Sequence, residues 1–237
     1  MVEVSVVIPT YNEEKYLPRL LNCLKKQTYE DFEIIVSDAD SKDRTREIAK
    51  ENKCKIVKGG AVSVGRNRGT KIAKGKYLMF FDSDVIFGNK FIEENLTFFK
   101  RKNLVSSTCW SIFYDKKHKV KSIIPYTLHQ VGNISKFLTQ KIRPLTDGHF
   151  VMTRKDIFDR LKGFDERMDF GEDSDYVLRS IKYGRFSINT RTNIYPSLRR
   201  FFKNGVWYMT WKYIALNFRR LVLGSKKYTG YFEGSAR

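Results

Sequence analysis

Hydrophobic positions along the first hundred residues alternate between two periods. Val4, Val6, Val7 and Ile8 form a short apolar run that Pro9 is expected to stop; Leu17, Leu20, Leu21 and Leu24 then recur at helical spacing. Residues 33–37 (EIIVS) predict a strand, 45–50 a helix, Lys55–Lys58 a short strand, and 64–74 a basic helix ending at Gly75. Tyr77–Phe81 is almost continuously apolar, as in a strand buried on both faces. Strand and helix alternating in this way predict βαβ units and a largely parallel sheet. Such sheets bind ligands beyond the carboxyl ends of their strands, near a reversal of strand order. The segments to inspect are those following Ile8, Val36 and Phe81.

Past residue 103 the rhythm changes. Residues 105–114 alternate loosely and predict a long strand, 116–121 a basic loop, and 126–138 a helix. A short strand is expected over 149–153, and a helix over 173–183 with Val177, Leu178 and Ile181 as its apolar stripe. There is no internal repeat and no low-complexity linker. The expected organisation is one α/β domain over 1–200 with a basic, aromatic C-terminal helix and tail over 201–237.

Charge sharpens that division. The 237 residues carry 45 Lys and Arg against 26 Asp and Glu, a net +19. Residues 1–100 contribute only +3, whereas 176–237 hold 13 basic residues and a single acid, Glu233. A front half built for ligands and a back end facing something anionic is implied. Within 206–223, Trp207, Trp211, Ile214, Phe218, Leu221 and Val222 share one helical face, with Lys212, Arg219 and Arg220 away from it and Met209 and Leu216 opposite. One reading is a core helix over the end of the sheet. The other, which the charge favours, is an interfacial helix with Trp207, Trp211 and Phe218 at headgroup depth on an anionic membrane surface. Residues 226–237 are expected to form a loose tail. Cys23, Cys54 and Cys109 show no metal-ligand spacing and fit small buried hydrophobes in a reducing compartment. No signal peptide and no 18-residue apolar window is visible, so the expected location is cytoplasmic.

Five short segments carry candidate chemistry. Asp82-Ser83-Asp84 follows the buried strand, and its carboxylates suit Mg²⁺ or Mn²⁺ that also takes phosphate oxygens, although such a pair is equally a turn or cap. Glu172 and Asp173 open the helix of GEDSDYVLRS, where acids are ordinary dipole partners or a presented general base; Asp175, inside the first turn, is a poorer candidate. Residues 7–14 run from strand end toward helix, with Asn12 as a candidate cap and Tyr11 as an aromatic face for a base. Asp38 and Asp40 lie at the next strand end. Gly65-Arg66-Asn67-Arg68-Gly69 sets two guanidinium groups between glycines, suited to a diphosphate.

Singly each segment has a bland explanation; their order and spacing do not. Over roughly residues 3–200 the chain resembles the family-two glycosyltransferases, which have the GT-A fold: a Rossmann-like, mostly parallel sheet flanked by helices. The strings that carry the resemblance are VSVVIPTYNEEKYLPRLLNCLKKQTYEDFEIIVSDADSKDRT, GRNRGTKIAKGKYLMFFDSD and GFDERMDFGEDSDYVLRS. It implies a metal-dependent, inverting transfer from a nucleotide sugar, UDP-linked first and GDP-linked second. Pro9, Thr10, Tyr11, Glu13 and Asp38 would line the nucleotide pocket, with Asp40, Arg66, Asn67 and Ser83 as further donor contacts. Asp82 would approach the ribose or the metal, Asp84 would ligate Mn²⁺ or Mg²⁺, and Asp173 beside Glu172 would be the base. The chain departs from the family pattern at Ala39, where relatives carry an Asp, with Asp40 one place later.

Asp147-Gly148-His149 falls where relatives contact donor sugar or acceptor. His149 is a candidate metal ligand, but its strand-like neighbours Phe150 and Val151 favour a pocket or core histidine. Arg199 and Arg200 resemble basic residues that lipid-using relatives set beside an acceptor phosphate. The implied acceptor is a hydroxyl or phosphate on a membrane-associated glycan or lipid, and a polyprenyl-phosphate sugar synthase is the variant reading. A basic nucleic-acid-binding protein is the alternative of another class. The absence of a recognisable nucleic-acid motif, and carboxylate pairs that would repel phosphate, count against it.

Overall fold

The computed structural model describes residues 2–113, 123–168, 170–212 and 215. The chain lays down β1 (Val4–Thr10), α1 (Leu17–Lys25), β2 (Phe32–Asp38), α2 (Thr45–Glu51), β3 (Lys55–Lys58), α3 (Val62–Lys71) and β4 (Tyr77–Phe81). It continues through β5 (Val85–Phe87), α4 (Phe91–Arg101), β6 (Leu104–Ser111), α5 (Ile123–Thr139), β7 (Phe150–Arg154) and α6 (Lys155–Arg160). Helix α7 (Glu172–Ser180), a 3₁₀ turn (Ile181–Tyr183), β8 (Arg185–Pro196) and α8 (Arg199–Asn204) follow, and residues 206–212 are again helical. Position 200, the expected domain boundary, falls inside α8.

The described strands form one sheet in the order β3-β2-β1-β4-β7-β6-β8-β5. Strands β3, β2, β1 and β4 are mutually parallel, as the βαβ rhythm predicts. The other half is mixed: β7 runs antiparallel to both β4 and β6, β8 is parallel to β6, and β5 is antiparallel to β8. Because successive side chains point to opposite faces, one run of strand residues feeds two cores. Val4, Val6, Ile8, Met79 and Phe81 pack against the leucines of α1 and against Ile92, Leu96 and Phe99 of α4. On the other face, Val7, Leu78, Phe80 and Val151 meet Phe158, Phe164, Tyr176 and Val177.

Several local expectations are corrected. Strand β1 passes through Pro9 and ends at Thr10. Pro9 lies beyond the last β1 residue paired with β4, at Val7, so its missing N–H breaks no rung between those strands. Asn12 does not cap α1, which starts at Leu17 after Tyr16. It adopts a left-handed backbone (φ 52°) and accepts from the Lys42 N–H at 2.8 Å, joining two loops. Helix α3 stops at Lys71, short of Gly75. Helix α4 and strand β8 arise where no element was expected. β8 is polar in sequence, and its buried Asn189 and Thr192 both donate to Asn95 Oδ1 of α4 at 3.2 Å. In α7 the buried side chains include Tyr176 and Val177, while Leu178 and Ile181 are half-buried. The expected loop at 116–121, the end of the strand expected at 114, and Ile214, Leu216, Phe218–Val222 and the tail lie outside the described residues.

The glycines around Arg66 have a packing role. A Cβ on Gly69 would lie 2.5 Å from Val7 Cγ1 and 2.7 Å from Ser37 Oγ, so only glycine lets α3 sit this close to β1 and β2. Gly69→Ala is therefore expected to overpack this contact and to cost about 1–3 kcal/mol. A lower urea midpoint with an unchanged slope would be the signature; an unchanged midpoint would contradict it.

Candidate active site

Chain order reverses at β1, which lies between β2 and β4, so the carboxyl ends of these parallel strands open onto one crevice. Asp38, at the end of β2, is buried and fully engaged. Its Oδ2 accepts from Thr10 Oγ1 at 3.1 Å and Ser41 Oγ at 2.6 Å, and its Oδ1 accepts from the Ser41 N–H at 3.0 Å. The loop after β1 is pinned to the loop after β2 by Asn12 N–H to Ser41 Oγ (2.9 Å) and Glu13 N–H to Thr45 Oγ1 (2.7 Å). Tyr11 is exposed at the mouth. Asp40 is exposed too, in a left-handed backbone, 3.9 Å from Lys58 Nζ.

The turn Asp82-Ser83-Asp84 joins β4 to β5, and the side chain that organises it is Arg66. Arg66 is only 1% exposed. One terminal nitrogen donates to Glu172 Oε1 at 2.9 Å; the other donates to Asp82 Oδ1 at 3.0 Å and to the Gly148 carbonyl at 2.8 Å. Its guanidinium carbon lies 5.4 Å from the centroid of the Phe164 ring. Three distant parts of the chain are thus drawn to one cation. Glu172 and Asp173 are presented at the start of α7 by Gly171, whose left-handed backbone (φ 77°) turns the chain into the helix. The Asp173 carboxylate faces Gly148: a Cβ on Gly148 would be 3.7 Å from Asp173 Oδ2. Asp175, by contrast, pairs with Arg179 at 2.7 Å within the helix.

Asn67 and Arg68 are directed elsewhere. The Asn67 amide donates to the Phe164 carbonyl and to Glu166, both at 2.9 Å, tying α3 to the loop before α7. Arg68 donates to the Gly59 carbonyl at 2.6 Å.

On the opposite side of the turn, Arg199 grips two acids. It makes a bidentate pair with Glu13, both contacts 2.6 Å, and its Nε lies 2.7 Å from Asp84 Oδ2. The guanidinium carbon is 4.4 Å from the Tyr16 ring centroid. Burial lifts the Glu13 carboxyl above its ordinary range, with Asp84 adding to the rise and Arg199 opposing it. Sequence reasoning set Arg199 beside an acceptor phosphate; in this structure its partners are the two carboxylates. The Arg200 side chain lies outside what is described.

A further polar group was missed except for Asp147 and His149. The Asp147 carboxylate is reached by Lys136 Nζ at 2.7 Å and by Ser111 Oγ, with His129 Nε2 at 3.7 Å. Burial works to raise this carboxyl, yet Lys136 and the histidines hold it well below the usual carboxylate range. Burial pushes His129 down to about 3. His149 differs: burial lowers it, but its contact with Asp82 Oδ2 at 3.3 Å and the charge of Asp147 win, and the ring is raised. Only the i, i+4, i+7 spacing of His129, Asn133 and Lys136 hinted at this buried polar face.

Among the described residues no three His, Cys, Asp or Glu side chains form a ready metal cage. The donors at hand are the carboxylates of Asp82 and Asp84, hard oxygens two residues apart in one turn. They fit an Mg²⁺- or Mn²⁺-type ion that completes its shell with substrate phosphates. His149 contacts Asp82 and so borders this pair.

A family model described as Glycosyl transferase family 2 matches residues 5–162. The chain is 26% identical over 194 residues to "Uncharacterized glycosyltransferase EpsJ" of Bacillus subtilis, covering 76% of this chain and 56% of that protein. It is 30% identical over 194 residues to "Minor teichoic acid biosynthesis protein GgaB" of the same organism, covering 74% of this chain and 20% of that one. The chain therefore spans about half or less of the length of these relatives. Its fold matches Staphylococcus aureus TarS 1–349 in complex with UDP-GlcNAc, with TM-score 0.67 and 22% identity over 82% of this chain and 58% of that one. It also matches the mannosyltransferase PcManGT of Pyrobaculum calidifontis in complex with GDP-Man and Mn²⁺, with TM-score 0.67 and 17% identity over 81% and 56%. The architecture is GT-A.

One prediction comes from Arg66 and one from Glu172. Arg66→Met leaves Asp82 and Glu172 without their shared cation and is expected to cost about 3–5 kcal/mol, read by urea unfolding at neutral pH. Glu172 is raised from 4.5 to about 7, first by burial, with Asp173 and Asp82 adding and Arg66 opposing. The folded state thus holds this proton more tightly than the unfolded chain. The associated stability is present below 4.5 and is lost as pH rises through about 7. Glu172→Gln should flatten that decline; a variant with the wild-type slope would exclude Glu172 as its source.

Proposed function

The chain belongs to glycosyl transferase family 2, and from that premise we propose that it transfers a sugar from a nucleotide-sugar donor to an acceptor with inversion at the anomeric carbon. UDP-linked donors are favoured and GDP-linked donors come second. The acceptor is a hydroxyl or phosphate on a membrane-associated glycan or lipid, reached from the cytoplasmic face; a polyprenyl phosphate is the variant form. The observation that carries the reading is Arg66. One buried guanidinium joins the Asp82-Ser83-Asp84 turn to the Glu172-Asp173 pair, which supports a single rim with a diphosphate side and a base side.

On the donor side, Thr10 and Asp38 form the floor of the nucleotide pocket, and Pro9, Tyr11, Glu13, Asp40 and Ser83 border it. A divalent cation held by Asp84 and Asp82 would supply charge neutralisation for the departing diphosphate. Arg66 is a positioning residue, because both of its terminal nitrogens are engaged, by Glu172 on one side and by Asp82 and Gly148 on the other. On the acceptor side, Asp173 takes the proton of the attacking hydroxyl. That oxygen forms its bond to the anomeric carbon as the bond from this carbon to the diphosphate breaks. One displacement from the opposite face inverts the configuration and requires no covalent intermediate.

Glu172 is engaged by the Arg66 guanidinium at 2.9 Å, and Asp173 beside it, facing Gly148, is the base of the pair. Among the described residues no helix is long and apolar enough to cross a membrane. Trp207 and Trp211 stand on the exposed side of residues 206–212, with Met209 buried beneath, which supports peripheral attachment through this helix. Phe218 lies outside the described residues.

A thermal-shift series of nucleotide sugars with Mn²⁺ or Mg²⁺ tests the donor class directly. Asp84→Ala is expected to abolish metal-dependent stabilisation by the donor; retained stabilisation would remove Asp84 from the metal site. Asp173→Asn is expected to keep donor affinity while kcat falls by about 10²–10⁴-fold, and near-normal turnover would rule it out as the base.

A further inference from the structure

Helix α5 turns its polar side inward and its apolar side out. His129, Asn133, Lys136 and Gln140 follow one another at i, i+4, i+7 and i+11. Each is spent inside: on Ser111, on the Ser111 carbonyl, on Asp147 and on the Ile188 N–H. The opposite side carries Val131, Ile134, Phe137, Leu138 and, just past the helix, Ile142, all exposed. Leu138 is 72% and Ile142 87% exposed, far beyond the scattered apolar exposure of an ordinary surface.

A second such surface stands close by. Trp207 and Trp211 are 64% and 68% exposed. Both elements rest on Phe113, whose ring lies 4.1 Å from His129 of α5 and 5.5 Å from Phe201 of α8, with Met209 in the same cluster. The sequence around them is free of acids. Among the described residues, 123–146 and 197–212 contain no Asp or Glu, and Lys141 and Lys203 stand exposed on them.

We infer that the outward face of α5 is a membrane-docking surface for an anionic bilayer, acting together with Trp207 and Trp211. The occupant follows from charge. An apolar stripe whose acid-free margin carries Lys141 and Lys203 complements a layer that is apolar below and anionic at its headgroups. A second copy of the chain, at net +19, would bring the same basic margin against itself. Polyanions such as RNA would meet the basic margin but have no use for the aliphatic stripe. The inference deepens the peripheral attachment proposed above and rests on it, while assigning the main contact to a different element. It also gives the acceptor a route, because Ser111 and Asp147 link the inner side of α5 to the Gly148–His149 end of the crevice.

The test is co-flotation of the full chain with vesicles of phosphatidylcholine, with and without phosphatidylglycerol. Val131→Gln/Leu138→Gln alters only exposed positions, and Trp207→Gln/Trp211→Gln is its counterpart on the C-terminal helix. Unfolding midpoints and nucleotide-induced thermal shifts confirm that each variant is folded. Wild type is expected to float with anionic vesicles and not with neutral ones, and the α5 variant to lose roughly tenfold or more in partitioning. An α5 variant that floats like wild type, while the Trp variant does not, overturns the inference and leaves attachment through the C-terminal helix standing. A wild type that floats with neither vesicle overturns both. Concentration-dependent dimerisation in sedimentation velocity, lost in the α5 variant, would make the face a self-interface and likewise overturn it.

Discussion

A buried guanidinium holds the front of this molecule together. The carboxyl ends of β1, β2 and β4, the start of α7 and the turn after β4 all bring acids to one crevice, and isolated carboxylates there would repel one another and resist burial. Arg66 resolves the conflict for Asp82 and Glu172, and Arg199 does so for Glu13 and Asp84. Arg66 reaches Glu172 across 106 residues, and Arg199 reaches Glu13 across 186. The site is therefore a product of the whole fold, and a substitution at either arginine is felt by both loops it joins.

The first half of the fold was legible because β1, β2 and β4 carry apolar runs buried in the sheet and α1 is amphipathic. Lys55–Lys58 and Tyr77–Phe81 coincide with β3 and β4 as observed. The carboxylates were legible from their positions at strand and helix ends, and the crevice from the reversal of chain order at β1. Strand β8 was hidden because polar residues interrupt its apolar positions and Asn189 and Asn193 are disfavoured in strands. Its pairing with β6 and β5 and its bonds to Asn95 are tertiary facts. Helix α4 was different, since Phe91, Ile92, Leu96 and Phe99 carry a helical pattern that is legible in the sequence.

The arginines mark the limit of sequence reasoning at the site itself. Arg66, between two glycines, suggested a phosphate cradle. The geometry instead commits its guanidinium to two carboxylates and a carbonyl, while Gly69 serves close packing on β1. Arg199 was assigned by its resemblance to basic residues of lipid-using relatives, but its partner Glu13, in the loop after β1, lies 186 residues away. No local pattern encodes a pairing at that separation. Charge asymmetry, in contrast, was visible from the start, and its meaning became clearer once the apolar side of α5 was seen to lie within the basic half.

The pair formed by Lys136 and Asp147 has a mechanical consequence. A helix with aliphatic side chains on its outer surface would ordinarily gain by rolling about its axis until they were covered. Here such a roll would withdraw Lys136 and strand Asp147 in the interior, a loss of about 3–5 kcal/mol for a broken buried ion pair. The pair works as a key in a lock: it fixes the azimuth of α5, and so keeps its greasy side turned outward even when nothing is there to meet it.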